Sequence, residues 1–141
     1  MDKKRILIIT DSSPSIRKLA EEISAIFGND TFSGYTVSAV EADNFTGDNL
    51  LPAHVIFVGC ELPKPDSFTY LDDFFRHICL AGRPFGIFST NAKTLKYLSR
   101  LIRVTEASLG TPLLVKHEVH DNGKLIKWVQ SILKTDKNVQ P

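Results

Sequence analysis

Five short apolar runs punctuate this chain: RILIIT (5–10), YTVSAVE (35–41), HVIFVG (54–59), PFGIFST (84–90) and PLLVK (112–116). Each is bounded by turn-forming residues and separated from the next by a stretch of different period. That alternation narrows the possible folds sharply, because short bounded apolar runs read as strands. Between them, Ile16, Leu19, Ala20, Ile23 and Phe27 fall on one helical face, and so do Phe68, Leu71, Phe75 and Ile78. Leu95, Leu98, Ile102 and Leu109 form a third such face, and Leu125, Ile126, Val129, Ile132 and Leu133 a fourth. Pro14 suits a first helical position behind a Ser13 cap, and Gly28 and Gly110 stand where helices end. A shorter crossover is expected around Asn44 to Leu51.

Strands alternating with helices imply parallel β-α-β units with right-handed crossovers and helices on both faces of one sheet. The expected architecture is a three-layer α/β/α sandwich on a five-stranded parallel sheet of order 2-1-3-4-5. HVIFVG is continuously apolar, as a strand covered on both faces must be, whereas YTVSAVE alternates and reads as an edge. Ile8, Ile9, Val55, Phe57, Ile87 and Phe88 are the predicted central core. In this order a ligand belongs at the carboxyl ends of the first and third strands, where the winding reverses.

With 141 residues, 43% of them apolar, the chain has material for one core, so 1–141 reads as a single domain with ends that fray at roughly 1–3 and 135–141. The net charge of +1 comes from interleaved acids and bases and gives no footprint for nucleic acid or an anionic membrane. No apolar run is long enough for an export signal or a bilayer span, which implies a cytoplasmic protein, monomeric or weakly dimeric. Cys60 in VGCEL and Cys79 in HICLAG read as buried, reduced thiols. His117-Glu118-Val119-His120-Asp121 is not H-E-x-x-H, and on a strand its two imidazoles point to opposite faces, so no metal is expected. Neither Gly-x-Ser-x-Gly nor a Walker-type loop occurs, which favours a carrier or binding module over a catalyst with its own substrate.

Three loops meet at the switch point: TDSSPS (10–15), GCELPKPDS (59–67) and STNAKT (89–94). ILIITDSSPSIRKLAEEI resembles the first strand, phosphate loop and first helix of a short-chain flavodoxin, and HVIFVGCELP resembles the family's third strand. LDDFFRHICLAGRPFGIFST followed by ASLGTPLLV is similar to the fourth-strand region and the lead-in to the fifth. The resemblance runs along nearly the whole chain and implies an FMN-binding electron carrier serving a redox partner protein. It assigns Asp11, Ser12, Ser13 and Ser15 to the phosphate loop, Cys60, Glu61 and Leu62 to the second loop, and Ser89, Thr90 and Asn91 to the third.

The phosphate loop departs from the family pattern. Flavodoxins surround the phosphate with hydroxyls and free backbone N–H groups at a helix N-terminus. Here Asp11 brings a carboxylate, Pro14 replaces a glycine and removes a donor, and Ile16 replaces the last hydroxyl. The later loops have no aromatic residue before Phe68 and Tyr97 to flank a flavin ring. Helix capping and turn formation is the other reading of the serines.

The same loops also resemble a response-regulator receiver. Asp11, Ser89 and Lys116 fall at matching strand ends, but Gly59 stands where that family has its phosphoacceptor Asp, which excludes phosphotransfer. Two function classes follow. If FMN is bound, it supplies the redox chemistry and the protein positions it; if not, the chain is a flavodoxin-like binding or regulatory module.

Overall fold

In the computed structural model, which describes residues 4–28, 32–115 and 122–134, the apolar runs pair into one parallel sheet. Its strands are β1 (Lys4–Thr10), β2 (Tyr35–Glu41), β3 (Val55–Gly59), β4 (Pro84–Ser89), β5 (Ser108–Leu109) and β6 (Leu113–Leu114). The order is β2-β1-β3-β4-β5, with β6 also beside β4, so the expected 2-1-3-4-5 winding is present. The helices are α1 (Pro14–Ile26), α2 (Gly47–Leu50), α3 (Thr69–Phe75), α4 (Ala92–Arg103) and α5 (Asn122–Leu133).

Alternation within each strand divides the core between two faces. Ile6, Ile8, Val55, Phe57 and Phe88 pack with Ile16, Leu19 and Ile23 of α1 and with Val129 and Ile132 of α5. Leu7, Ile9, Ile56, Val58 and Ile87 pack on the other side, with Leu50 of α2, Leu71 and Phe75 of α3, and Leu98 and Ile102 of α4. All six residues predicted for the central core are buried. β3 is buried throughout, while β2 pairs with β1 and alternates between half-buried and exposed positions over its first four residues, as an edge strand should.

Three expectations need correction. PLLVK was expected to form one strand, but its place along β4 is shared: Pro84 and Phe85 pair with Ser108 and Leu109, and Phe88 and Ser89 pair with Leu113 and Leu114. Pro112 interrupts the ladder because it has no N–H to donate. The Trp128 indole N–H, 2.7 Å from the Thr111 carbonyl, fastens that break. Lys116 lies outside the described residues.

Leu109 is not helical and Gly110 ends no helix. The helix α4 stops at Arg103, and Glu106, with φ near +65°, turns the chain into β5. The Leu80 N–H reaches the Thr105 carbonyl at 2.7 Å, drawing the segment toward the sheet. Finally, Cys60 is buried as expected, but Cys79 is exposed. It lies in the turn after α3, with its thiol 3.3 Å from Glu106 Oε2, while Leu80 takes the inward position.

Candidate functional site

Asp11 follows directly from β1, and its N–H donates to the Gly59 carbonyl at 3.3 Å, extending the pairing of β1 with β3 into the loops. Asp11 is only 7% exposed. Its Oδ1 accepts the Ser13 hydroxyl at 2.7 Å and the Ser13 N–H at 3.3 Å, and Oδ2 accepts the Glu61 N–H at 3.1 Å. A buried carboxylate must be compensated, and these three donors compensate it. The first loop is thereby closed on its own anion and tied to the second.

Ser13 occupies the N-cap of α1 but makes no side-chain cap bond, because its hydroxyl is turned to Asp11. That corrects the capping role expected of it. Pro14 opens the helix, Ser12 is exposed, and Ser15 Oγ is buried with no hydrogen-bond partner among the described residues.

The second and third loops are joined beneath the surface. Ser89, fully buried at the end of β4, donates to the Cys60 carbonyl at 2.7 Å and accepts the Asn91 N–H at 3.1 Å. Asn91 caps α4 by accepting the Lys93 N–H at 3.0 Å, and Thr94 from the first turn donates to the Glu61 carbonyl at 2.7 Å. Burial, and then the nearby Asp11 carboxylate, hold the Cys60 thiol well above the ordinary cysteine range, so it stays a neutral thiol.

Above these supports lies an open cavity of about 440 Å³ lined by Glu61, Leu62, Thr90, Asn91, Ala92 and Leu114. Four residues assigned from sequence thus share one cavity, with Cys60 and Ser89 buried below it. Ser12, Ser13 and Ser15 do not line it. Ala92 and Leu114, which complete the lining, and Thr94 beneath it were missed. Thr94 could have been found from its place three residues after the Asn91 cap, whereas Leu114 depends on the divided fifth strand. No aromatic side chain lines the cavity: Phe68 is fully buried in the core and the Tyr97 hydroxyl donates to Asp72 at 3.2 Å.

A Cβ at Gly59 would lie 2.4 Å from the Phe88 ring, so the position where a receiver has its phosphoacceptor has no room for a carboxylate. His54 Nδ1 accepts the Arg5 N–H at 2.9 Å, and His77 lies 2.8 Å from the Asp73 carbonyl. The 117–121 motif lies outside the described residues. Among the described residues no group of three or more His, Cys, Asp or Glu side chains could hold a metal, and no helix is long and apolar enough to cross a membrane.

No protein-family model matches the sequence, and no curated protein matches it. The fold has counterparts. A short-chain flavodoxin associated with a non-canonical PDU bacterial microcompartment superposes with a TM-score of 0.81 at 13% identity, over 96% of this chain and 99% of that one. A flavodoxin from Streptococcus pneumonia TIGR4 gives 0.77 at 13% identity, over 92% and 97%. Flavodoxin 2 from Bacillus cereus gives 0.75 at 18% identity, over 92% and 98%. At such identities the likeness shows a flavodoxin-like fold and leaves function to be argued from the site.

Proposed function

We propose that this chain is a flavodoxin-fold protein of the FMN electron-transfer lineage that has given up the phosphate grip and works as a partner-binding or regulatory module. The observation that carries this reading is the Asp11 carboxylate. An FMN phosphate in the first loop needs the donors at the head of α1, and the Ser13 hydroxyl and N–H are already bonded to Asp11. A second anion there meets like charge at close range, and Pro14 offers no N–H in exchange. The residues present do not fit the phosphate. The later loops, whose cavity has no aromatic lining, give a flavin ring no stacking face to offset that loss. What remains is a hydrogen-bonded rim at the carboxyl ends of the strands, with Leu62 61% exposed upon it.

A second reading retains FMN, supported by the cavity between Glu61–Leu62 and Thr90–Ala92, which is large enough to take part of a planar ligand. In that case FMN supplies the electron-transfer chemistry and the partner protein is a redox partner. Absorbance of the purified protein between 350 and 500 nm (about the flavin bands) and quenching of added FMN fluorescence decide between the two. The binding-module reading expects a colourless protein that leaves FMN unquenched at roughly 100 μM, corresponding to binding weaker than about −5.5 kcal/mol. A yellow preparation, or a submicromolar Kd, overturns it in favour of the electron carrier.

A further inference from the structure

At the opposite end of the sheet, beside the first residues of β1, β3 and β4, lies a cavity of about 330 Å³ lined by Lys4, Leu51, Pro52, His54, Arg83 and Pro84, with Ala53 at its back. Three of these residues are basic and none is acidic. Arg83 is half-buried, and one terminal nitrogen donates to the carbonyls of Leu50 at 3.1 Å and Ala53 at 3.2 Å. Those bonds fix the guanidinium without neutralising it, because no carboxylate pairs with Arg83 among the described residues. A guanidinium carries five N–H donors, so Nε and the second terminal nitrogen keep three for a ligand. The His54 ring is oriented as well. Its Nδ1 accepts the Arg5 backbone N–H, which leaves the proton of the neutral imidazole on Nε2, as a donor. Leu51, 66% exposed, forms an apolar wall with Pro52 and Pro84.

We propose that this cavity binds a phosphate monoester, with its dianionic head on Arg83 and His54 and its organic group against Leu51 and the two prolines. Fixed, charge-assisted donors favour a multi-oxygen anion over a carboxylate, and the apolar wall favours an ester over the free ion. Ligands of this kind of sheet are expected at the carboxyl ends of the strands, so the site is separate from the Asp11 loop and independent of how that loop is read.

Phenyl phosphate titrated into the ¹⁵N-labelled full chain tests the proposal. The amide signals of Ala53, His54 and Arg83 should shift and saturate, with inorganic phosphate and benzoate each binding more weakly. Arg83→Gln should weaken phenyl phosphate binding by about tenfold or more. Because Arg83 also braces two carbonyls, His54→Ala supplies a second variant that leaves those bonds in place, with a loss of several-fold expected. Shifts that never saturate, affinities unchanged in both variants, or shifts confined to residues 12–16 overturn the site. Equal affinity for inorganic phosphate overturns the ester assignment.

Discussion

Phe57 and Gly86 share one space, and the energetics of that sharing can be measured. Phe57 is fully buried in β3, with its ring centroid 5.4 Å from that of Trp128 and 6.3 Å from that of Phe27. On the neighbouring strand β4, a Cβ at Gly86 would lie 2.8 Å from the Phe57 ring and 3.0 Å from Ile132. Phe57→Ala empties the site, and since Gly86 has no side chain to move inward, the cost should fall in the middle of the usual range, about 4 kcal/mol. Gly86→Ala alone forces a methyl against the ring and should cost about 1–3 kcal/mol. In the double variant the methyl enters the vacated space. It should therefore be about 2 kcal/mol less destabilised than the sum of the two single changes, well above the few tenths expected of independent sites. Urea unfolding followed by the fluorescence of Trp128, the single tryptophan of the chain, reads the effect from the wall of the cavity itself. Additivity within about 0.5 kcal/mol would mean that the ring and the methyl do not compete for that space.

Ser89→Ala should cost about 1–3 kcal/mol in the same assay, since it leaves the Cys60 carbonyl and the Asn91 N–H without their partner. Thiol titration with a disulfide reagent should find Cys79 reactive in the native protein and Cys60 reactive only on unfolding, because Cys60 is buried and held neutral. Burial, and then the charge and hydrogen bond of Asp72, raise the Tyr97 phenol above its ordinary value. Its contribution to stability is fully present below about pH 10, where an unfolded tyrosine is still neutral, and is lost as pH rises toward the folded-state value. Tyr97→Phe should flatten that alkaline decline, and absorbance near 295 nm should show one of the three tyrosines ionising after the others.

Much of the architecture was legible because it is written in local periodicity. The unbroken apolar run of β3 and the alternating run of β2 differ in the sequence as they differ in exposure, and that contrast marks β2 as an edge strand. The end of α4 was not legible: Leu109 continues the helical spacing from Leu95, and only the pairing of Ser108 and Leu109 with β4 and the left-handed turn at Glu106 take it out of the helix. Cys79 was misplaced for a related reason, since an apolar neighbourhood in sequence does not say which residue of a turn faces inward. At the site, the unusual residues of the first loop could be read, but not their geometry. Asp11 reads in sequence as a charge that repels a phosphate. In the structure the same carboxylate takes the Ser13 and Glu61 donors, a long-range arrangement that depends on the second loop lying beside the first.

Comparing FMN affinity in the native chain and in the Asp11→Ser, Pro14→Gly, Ile16→Thr variant at one fixed salt concentration asks whether Asp11 and Pro14 close the cradle to FMN. Opening the loop frees the Ser13 donors, restores a backbone N–H at position 14 and returns a hydroxyl at position 16. Little or no quenching of flavin fluorescence is expected from the native chain, and binding stronger by about 1–3 kcal/mol from the variant, the size of a recovered charge-assisted hydrogen bond. Tight FMN binding by the native chain, or a folded variant that binds FMN no better, would contradict that closure.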